Sequence, residues 1–233
     1  MTSIVLQIVI SLFLPINFVS SSSPASSKDP PLENLKISAC FQEGSLLSSL
    51  LKDHDSLKVP GPGLKVEVDV VILDINSISP LSADIVLDLY LDFMWTQEEL
   101  SYAELTNCSE PIIFGVETME RIWHPDISFQ NSKSVTEHSS PYPNFMGRLY
   151  PNGTIITNAR MLVTGPCDFN LQRYPFDDAT CTFSIASFKY SANEIVLSYV
   201  PVNPVYLARN MNLPSYRFLR VDKGIQRQVW LKF

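Results

Sequence analysis

Cysteine is the residue type in this chain best placed to do chemistry. Cys167 and Cys181 have thirteen residues between them in CDFNLQRYPFDDATC, each joined to a hydrophobic, strand-like run. The chemistry open to such a pair is oxidation, and a bridge would hold one loop of defined size at one end of a β-domain. Closing a loop of about fifteen residues stabilises a fold by roughly 3 kcal/mol in the chain-entropy model. Cys40 and Cys108 bring the total to four, and an even count behind a secretory leader favours disulfides over metal ligation or catalysis. The remaining chemistry is sparse. His54, His124 and His138 lack the paired spacing of metal ligands. The sequence offers no nucleophile–base pair, no carboxylate pair in a plausible cleft and no phosphate-cradling glycine loop, so an enzyme is not expected and no cofactor is implied. Asn107 (in NCS) and Asn152 (in NGT) read as N-glycosylation acceptors.

The leader is MTSIVLQIVISLFLPINFVSSSS, apolar from Ile4 to Phe13, broken at Pro15 and small from Ser20. Residues 1–23 therefore read as a signal peptide, which places the mature chain in an oxidising compartment. The net charge of −7 over 233 residues argues against nucleic acid as a partner, because that needs a basic surface. An acidic ectodomain instead concentrates cations near it. No apolar run of eighteen residues follows the leader, so no helix after it is expected to cross a bilayer.

Residues 24–43, rich in Ser and Pro at their start, read as a linker, and residues 44–226 as one domain. That domain opens on a helical stripe of Leu46, Leu47, Leu50 and Leu51 behind Gly44-Ser45, and Val59–Gly63 (VPGPG) then breaks the chain. From Val66 the period is two. In DIVLDLYLDFMW, Ile85, Leu87, Leu89, Leu91, Phe93 and Trp95 share one face while Asp84, Val86, Asp88, Tyr90, Asp92 and Met94 share the other. This is a half-buried strand of an antiparallel sheet, with Tyr90 and Asp92 turned away from the apolar stripe. Asn152-Gly153 marks a hairpin, and further strands fit Ala159–Thr164, Thr182–Phe188, Glu194–Val200 and Tyr216–Val221. The fold class is all-β, an immunoglobulin-like β-sandwich of about nine to ten strands with a short N-terminal helix. Residues 227–233 read as a divergent tail.

Five motifs in order carry a resemblance: VEVDVVILDINSIS, LYLDFMWTQEELSY, WHPDISFQN with Trp123, Pro125 and Asp126, RLYPNGTIITNARMLVTGPC, and the Cys-loop with CTFSIASFKYSANEIVL after it. Together they resemble the extracellular ligand-binding domain of the Cys-loop (pentameric) neurotransmitter-gated ion channels, in the GABA- and glycine-receptor branch. The resemblance implies that Cys167 and Cys181 are bridged. It also implies a transmitter site between neighbouring subunits of a pentamer at a plasma membrane or synapse. The principal face would hold Ser128, Phe129, Phe188 and Tyr190, and the complementary face Tyr90, Asp92, Arg148 and Asn158. Trp95 and Trp123 are expected to pack in the core, and Asp126 and Asp177 to bind their own turns.

Several departures from the family pattern shape the functional expectation. Asp92 stands where amino-acid receptors of this branch often place an arginine, so a cationic amine is expected, with Phe188 adding cation–π attraction of roughly 0.5–2 kcal/mol. Ser128 replaces an aromatic residue. Cys40 and Cys108 lie outside the common pattern and are candidates for a second bridge. Tyr174-Pro175 is a candidate cis peptide. LPSYRFLRVDKG resembles the ninth strand, followed only by IQRQVWLKF, so the capping loop, the last strand and the four membrane helices have no counterpart. The ninth strand is accordingly expected to carry an open edge, with Tyr216, Phe218 and Val221 exposed to wrong pairing. A secreted transmitter-binding protein and a non-conducting assembly partner are the alternatives to a channel subunit.

Overall fold

The computed structural model describes residues 2–12, 43–106, 109–173, 177–209, 211, 213 and 215–227. Cys40, Asn107, Cys108 and the Tyr174–Pro175 bond lie outside them, and with them the expectations attached to those residues. In chain order the elements are β1 (Thr2–Leu12), α1 (Glu43–Leu50), β2 (Leu64–Ser79), β3 (Asp84–Thr96), β4 (Ile112–Phe114), α2 (Val116–Met119) and β5 (Ile127–Phe129). There follow β6 (Ser134–Glu137), β7 (Phe145–Leu149), β8 (Thr154–Asn170), β9 (Asp178–Ser187), β10 (Ile195–Tyr199), β11 (Val205–Leu207) and β12 (Tyr216–Arg227).

The strands form two layers. In the first, β3 lies antiparallel between β2 and β8, β10 and β11 run parallel to β2, and β7 and β6 pair with β8. The second is built from β9 and β1, with β12 beyond β1 and β5 beside β9. β8 belongs to both: Thr154–Pro166 pairs with β3, and Cys167–Asn170 with β9. The alternation in β3 decides which side chains meet between the layers. Ile85, Leu87, Leu89, Leu91 and Trp95 are buried with Val66, Val68 and Val70 of β2 and Phe183 and Ile185 of β9. α1 lays Leu46, Leu47 and Leu50 on this core, and Leu51 just after it is buried.

Two covalent and conformational devices set the register. Cys167 and Cys181 are directly opposed on β8 and β9, bridged with their Cα atoms 4.0 Å apart and both side chains buried. At the hairpin between β7 and β8, Gly153 has φ +81°, and a Cβ there would sit 2.3 Å from the Gln97 carbonyl oxygen. Only glycine takes that backbone and that approach without strain.

The second layer takes in the N-terminal run of the chain. Thr2–Leu12, which falls within the residues 1–23 read as a signal peptide, pairs as a strand antiparallel to β9 on one side and β12 on the other. TSIVLQIVISL contains no charge and is rich in β-branched residues, which suits a buried strand as well as a leader. Ile4, Leu6, Ile8 and Ile10 are at most 1% exposed. Burying four such side chains contributes about 6–12 kcal/mol, against a total domain stability of about 5–15 kcal/mol. The expected open edge of β12 facing the body of the domain is therefore occupied, and Tyr216, Phe218 and Val221 are partly buried against the core.

Candidate functional site

The outward face of the first layer is a grid whose rows the strand register dictates. Asp92 on β3 lies opposite Asp69 on β2 and Asn158 on β8. One step along, Tyr90 lies opposite Val71 and Arg160, and Tyr206 on β11 lies opposite Val71. In the row on the other side, Met94 faces Ile156, which in turn faces Arg148 on β7. The register thus gathers Tyr90, Asp92, Arg148 and Asn158, four residues spread over some seventy positions of sequence, on one patch.

Charge on this patch is unevenly matched. The Arg160 guanidinium is held in two hydrogen bonds to Asp88, Nε to Oδ1 at 3.1 Å and Nη2 to Oδ2 at 2.6 Å, and His138 Nε2 is 3.4 Å from the same carboxylate. Asp92 accepts a hydrogen bond from Asn158 Nδ2, a neutral partner. Asp69 keeps Oδ1 buried without a hydrogen-bond partner. Burial pushes the Asp92 carboxyl up to about 6, with the neighbouring Asp69 charge adding to it and Asn158 and Arg148 opposing. Burial likewise raises Asp69. Burial, then the charges of Asp69 and Asp92, raise the Tyr206 phenol. The two carboxylates sit side by side with aromatic rings in the adjoining row, which disfavours their charged forms and makes the patch attractive to a cation.

The other set of candidates is assembled by β5 and β9. Phe188 N donates to Asp126 O at 2.9 Å and Ser187 Oγ to Pro125 O at 2.8 Å, which joins the Trp-x-Pro-Asp segment to the end of β9. Trp123 Nε1 donates to Tyr190 Oη at 2.9 Å, with ring centroids 5.4 Å apart. Tyr190 is thereby buried, and so is Phe129, edge-on to Phe183 at 6.2 Å. Their rings are occupied by the core, whereas Phe188 is 74% exposed and Ser128 receives Gln130 Nε2 at 3.0 Å. A cavity of about 190 Å³ adjoins, lined by His124, Asp126, Lys189 and Tyr190 among others. Among the described residues, no hydrogen bond, ion pair or ring contact joins this set to the patch around Asp92.

The structural residues fall where packing predicts. Trp95 and Trp123 are fully buried and meet edge to face at 6.4 Å. Asp126 occupies a turn at φ +48°, and Asp177 accepts from Arg173 N at 3.1 Å. Asn152 is exposed at the hairpin tip, its Oδ1 accepting from Thr154 N. Among the described residues, no group of histidines, cysteines and carboxylates has metal-site geometry. Sequence reasoning missed Asp69 and Tyr206. The alternation of VEVDV places Asp69 outward, but nothing local pairs it with Asp92.

Residues 43–228 match the model of the neurotransmitter-gated ion-channel ligand binding domain. The chain is 34% identical over 192 residues to an acetylcholine-gated chloride channel subunit of Caenorhabditis elegans, covering 82% of this chain and 41% of that protein. It is 28% identical over 177 residues to a serotonin-gated chloride channel of the same organism, 76% of this chain and 36% of the relative. Against the human gamma-aminobutyric acid receptor subunit rho-1 the identity is 33% over 150 residues, 63% and 31% of the two chains. The chain thus spans less than half the length of these relatives. Among the described residues no helix is long and apolar enough to cross a membrane.

Proposed function

Because the chain belongs to the family of neurotransmitter-gated ion-channel ligand-binding domains, we propose that it is the extracellular sensor of a channel subunit that recognises a cationic amine. The observation that carries this reading is the cross-strand pair Asp69–Asp92 beside Tyr90. A protonated amine or quaternary ammonium placed there relieves the repulsion between the carboxylates and meets a π-face. A transmitter bearing a carboxylate would add a third negative charge at the same place. Two of the relatives are named for acetylcholine and serotonin, both cations at neutral pH.

The site is completed between subunits. The Asp92 patch lies on the outward face of one layer and Phe188 projects from the end of β9 in the other. A neighbouring subunit in a pentamer would bring its Phe188 edge against Tyr90 and Asp92, with Asn158 and Arg148 at the margin. In this reading Phe129 and Tyr190 act by holding the Phe188 segment rather than by touching the transmitter. The domain works on the extracellular side of the plasma membrane, reached through the secretory pathway.

The test is a chimera joining this domain to the membrane-spanning part of the acetylcholine-gated relative, recorded under voltage clamp in oocytes. Acetylcholine or serotonin should evoke current, and Asp92→Asn should shift the response to higher concentration. Activation by GABA or glutamate with silence to amines would overturn the reading.

A further inference from the structure

Behind the first layer lies a cavity of about 230 Å³ that the transmitter reading does not use. We propose that it is a second binding site, contained within one subunit, for a small uncharged ring compound carrying one hydrogen-bond acceptor, and that its occupant braces the Trp-x-Pro-Asp segment.

The register explains why the space exists. On the core-facing side of the layer, Ala159 of β8 stands between Leu91 of β3 and Phe145 of β7, and Thr157 stands beside Phe93. The next row carries Ile155 between Trp95 and Leu149, all buried. Two small side chains in place of a branched aliphatic one leave a notch in the sheet surface, and residues 124–127 with Met119 complete the wall around it. Phe93 and Trp95 alternate with Asp92 and Met94 along β3, so the cavity is on the opposite face from the Asp92 patch.

Three observations define the occupant. Trp95 is 2% exposed and adjoins the cavity, yet its Nε1 has no hydrogen-bond partner among the described residues. A buried donor without an acceptor costs stability, and an acceptor brought in by a ligand recovers it. The buried lining residues Leu91, Trp95, Pro125 and Thr157 carry no charge, so a charged ligand would lose its hydration there without a counter-ion. Phe93 and Phe145 point towards the core but are only half-buried, which leaves aromatic faces for a ring to pack against. The volume exceeds that of the cavities of about 150 Å³ that take up benzene, and fits one ring with a short polar substituent.

Occupation has a mechanical consequence. Pro125 O accepts from Ser187 Oγ at 2.8 Å and Asp126 O from Phe188 N at 2.9 Å, so the wall of the cavity is also the support of the exposed Phe188. A molecule packed behind this wall opposes local opening of that hydrogen bond.

The experiment adds para-fluoroacetophenone, or para-fluorocumene of similar shape without an acceptor, to the full chain at millimolar concentration and follows each by fluorine NMR. Both should bind, one per chain. Trp95→Phe should weaken the ketone relative to the hydrocarbon by about two- to tenfold. Ala159→Leu, which fills the notch, should abolish binding of both with the fold retained by circular dichroism. Benzoate and benzylammonium should not displace the ketone, so a cation held at the Asp92 patch does not confuse the result. In the parent chain, ketone at about ten times its dissociation constant should slow amide exchange at Phe188 by about tenfold. No binding of the ketone by the parent chain overturns the proposal. Equal losses of ketone and hydrocarbon in Trp95→Phe, unchanged ketone binding in folded Ala159→Leu, displacement by either charged analogue, or unaltered exchange at Phe188 overturn it too. The competition and exchange measurements use the parent chain alone and decide the matter if a variant does not fold.

Discussion

Asp92→Asn should make the domain more stable and a poorer receptor for cations. The Asp92 carboxyl is displaced from its ordinary value of 3.8 to about 6, chiefly by burial, which disfavours its charged form in the folded chain by at most about 3 kcal/mol. Solvent around a partly open group screens that to about 1–2 kcal/mol. Between about pH 4 and pH 6 the folded chain retains a proton that the unfolded chain has lost, so stability falls as pH rises through this window. Above it the whole cost is present. Asparagine keeps the shape and can still accept from Asn158 Nδ2, and it never ionises. The variant should melt about 2–8 °C above the parent at neutral pH, at roughly 2–4 °C per kcal/mol for a domain of this size. The gap should close near pH 4. Circular dichroism melts of both chains across that range decide the matter, with a smaller slope left in the variant because burial also raises Asp69. A variant that melts at or below the parent at neutral pH, or that keeps the parent's full pH slope, would refute the argument. The same substitution should weaken amine binding in the chimera, since the charge that destabilises the empty site is the charge a cation meets.

Replacing Cys167 and Cys181 together by alanine should cost about 3 kcal/mol in urea unfolding of the oxidised protein, and recovery of both as free thiols from native protein would contradict the bridge. Tyr190→Phe removes the acceptor of Trp123 Nε1 and leaves a buried donor unsatisfied, so it should destabilise by about 1–3 kcal/mol and quench or shift tryptophan emission. Gly153→Ala forces a Cβ onto the Gln97 carbonyl at positive φ and should cost more than about 1 kcal/mol, read as a lowered melting temperature.

Local pattern determined a great deal by itself. The period-two runs around β2, β3 and β8, the Asn152-Gly153 hairpin and the leucine stripe of α1 were legible because each depends on residues within one turn or one strand. The Cys167–Cys181 pairing was legible from spacing and family resemblance together. What required the fold was every relation across strands. Asp69 became Asp92's neighbour only through the β2–β3 register, which no single segment encodes. Phe129 and Tyr190 looked like ligand aromatics in sequence, and the inter-layer core claimed their rings because Phe183 and Trp123 stand where they must pack. The N-terminal run shows the limit most plainly. An uncharged apolar run suits a membrane-targeting leader and a buried strand equally well, and the pairing of Ile4, Leu6, Ile8 and Ile10 with β9 and β12 involves residues some 170 and more positions away, which no local pattern encodes.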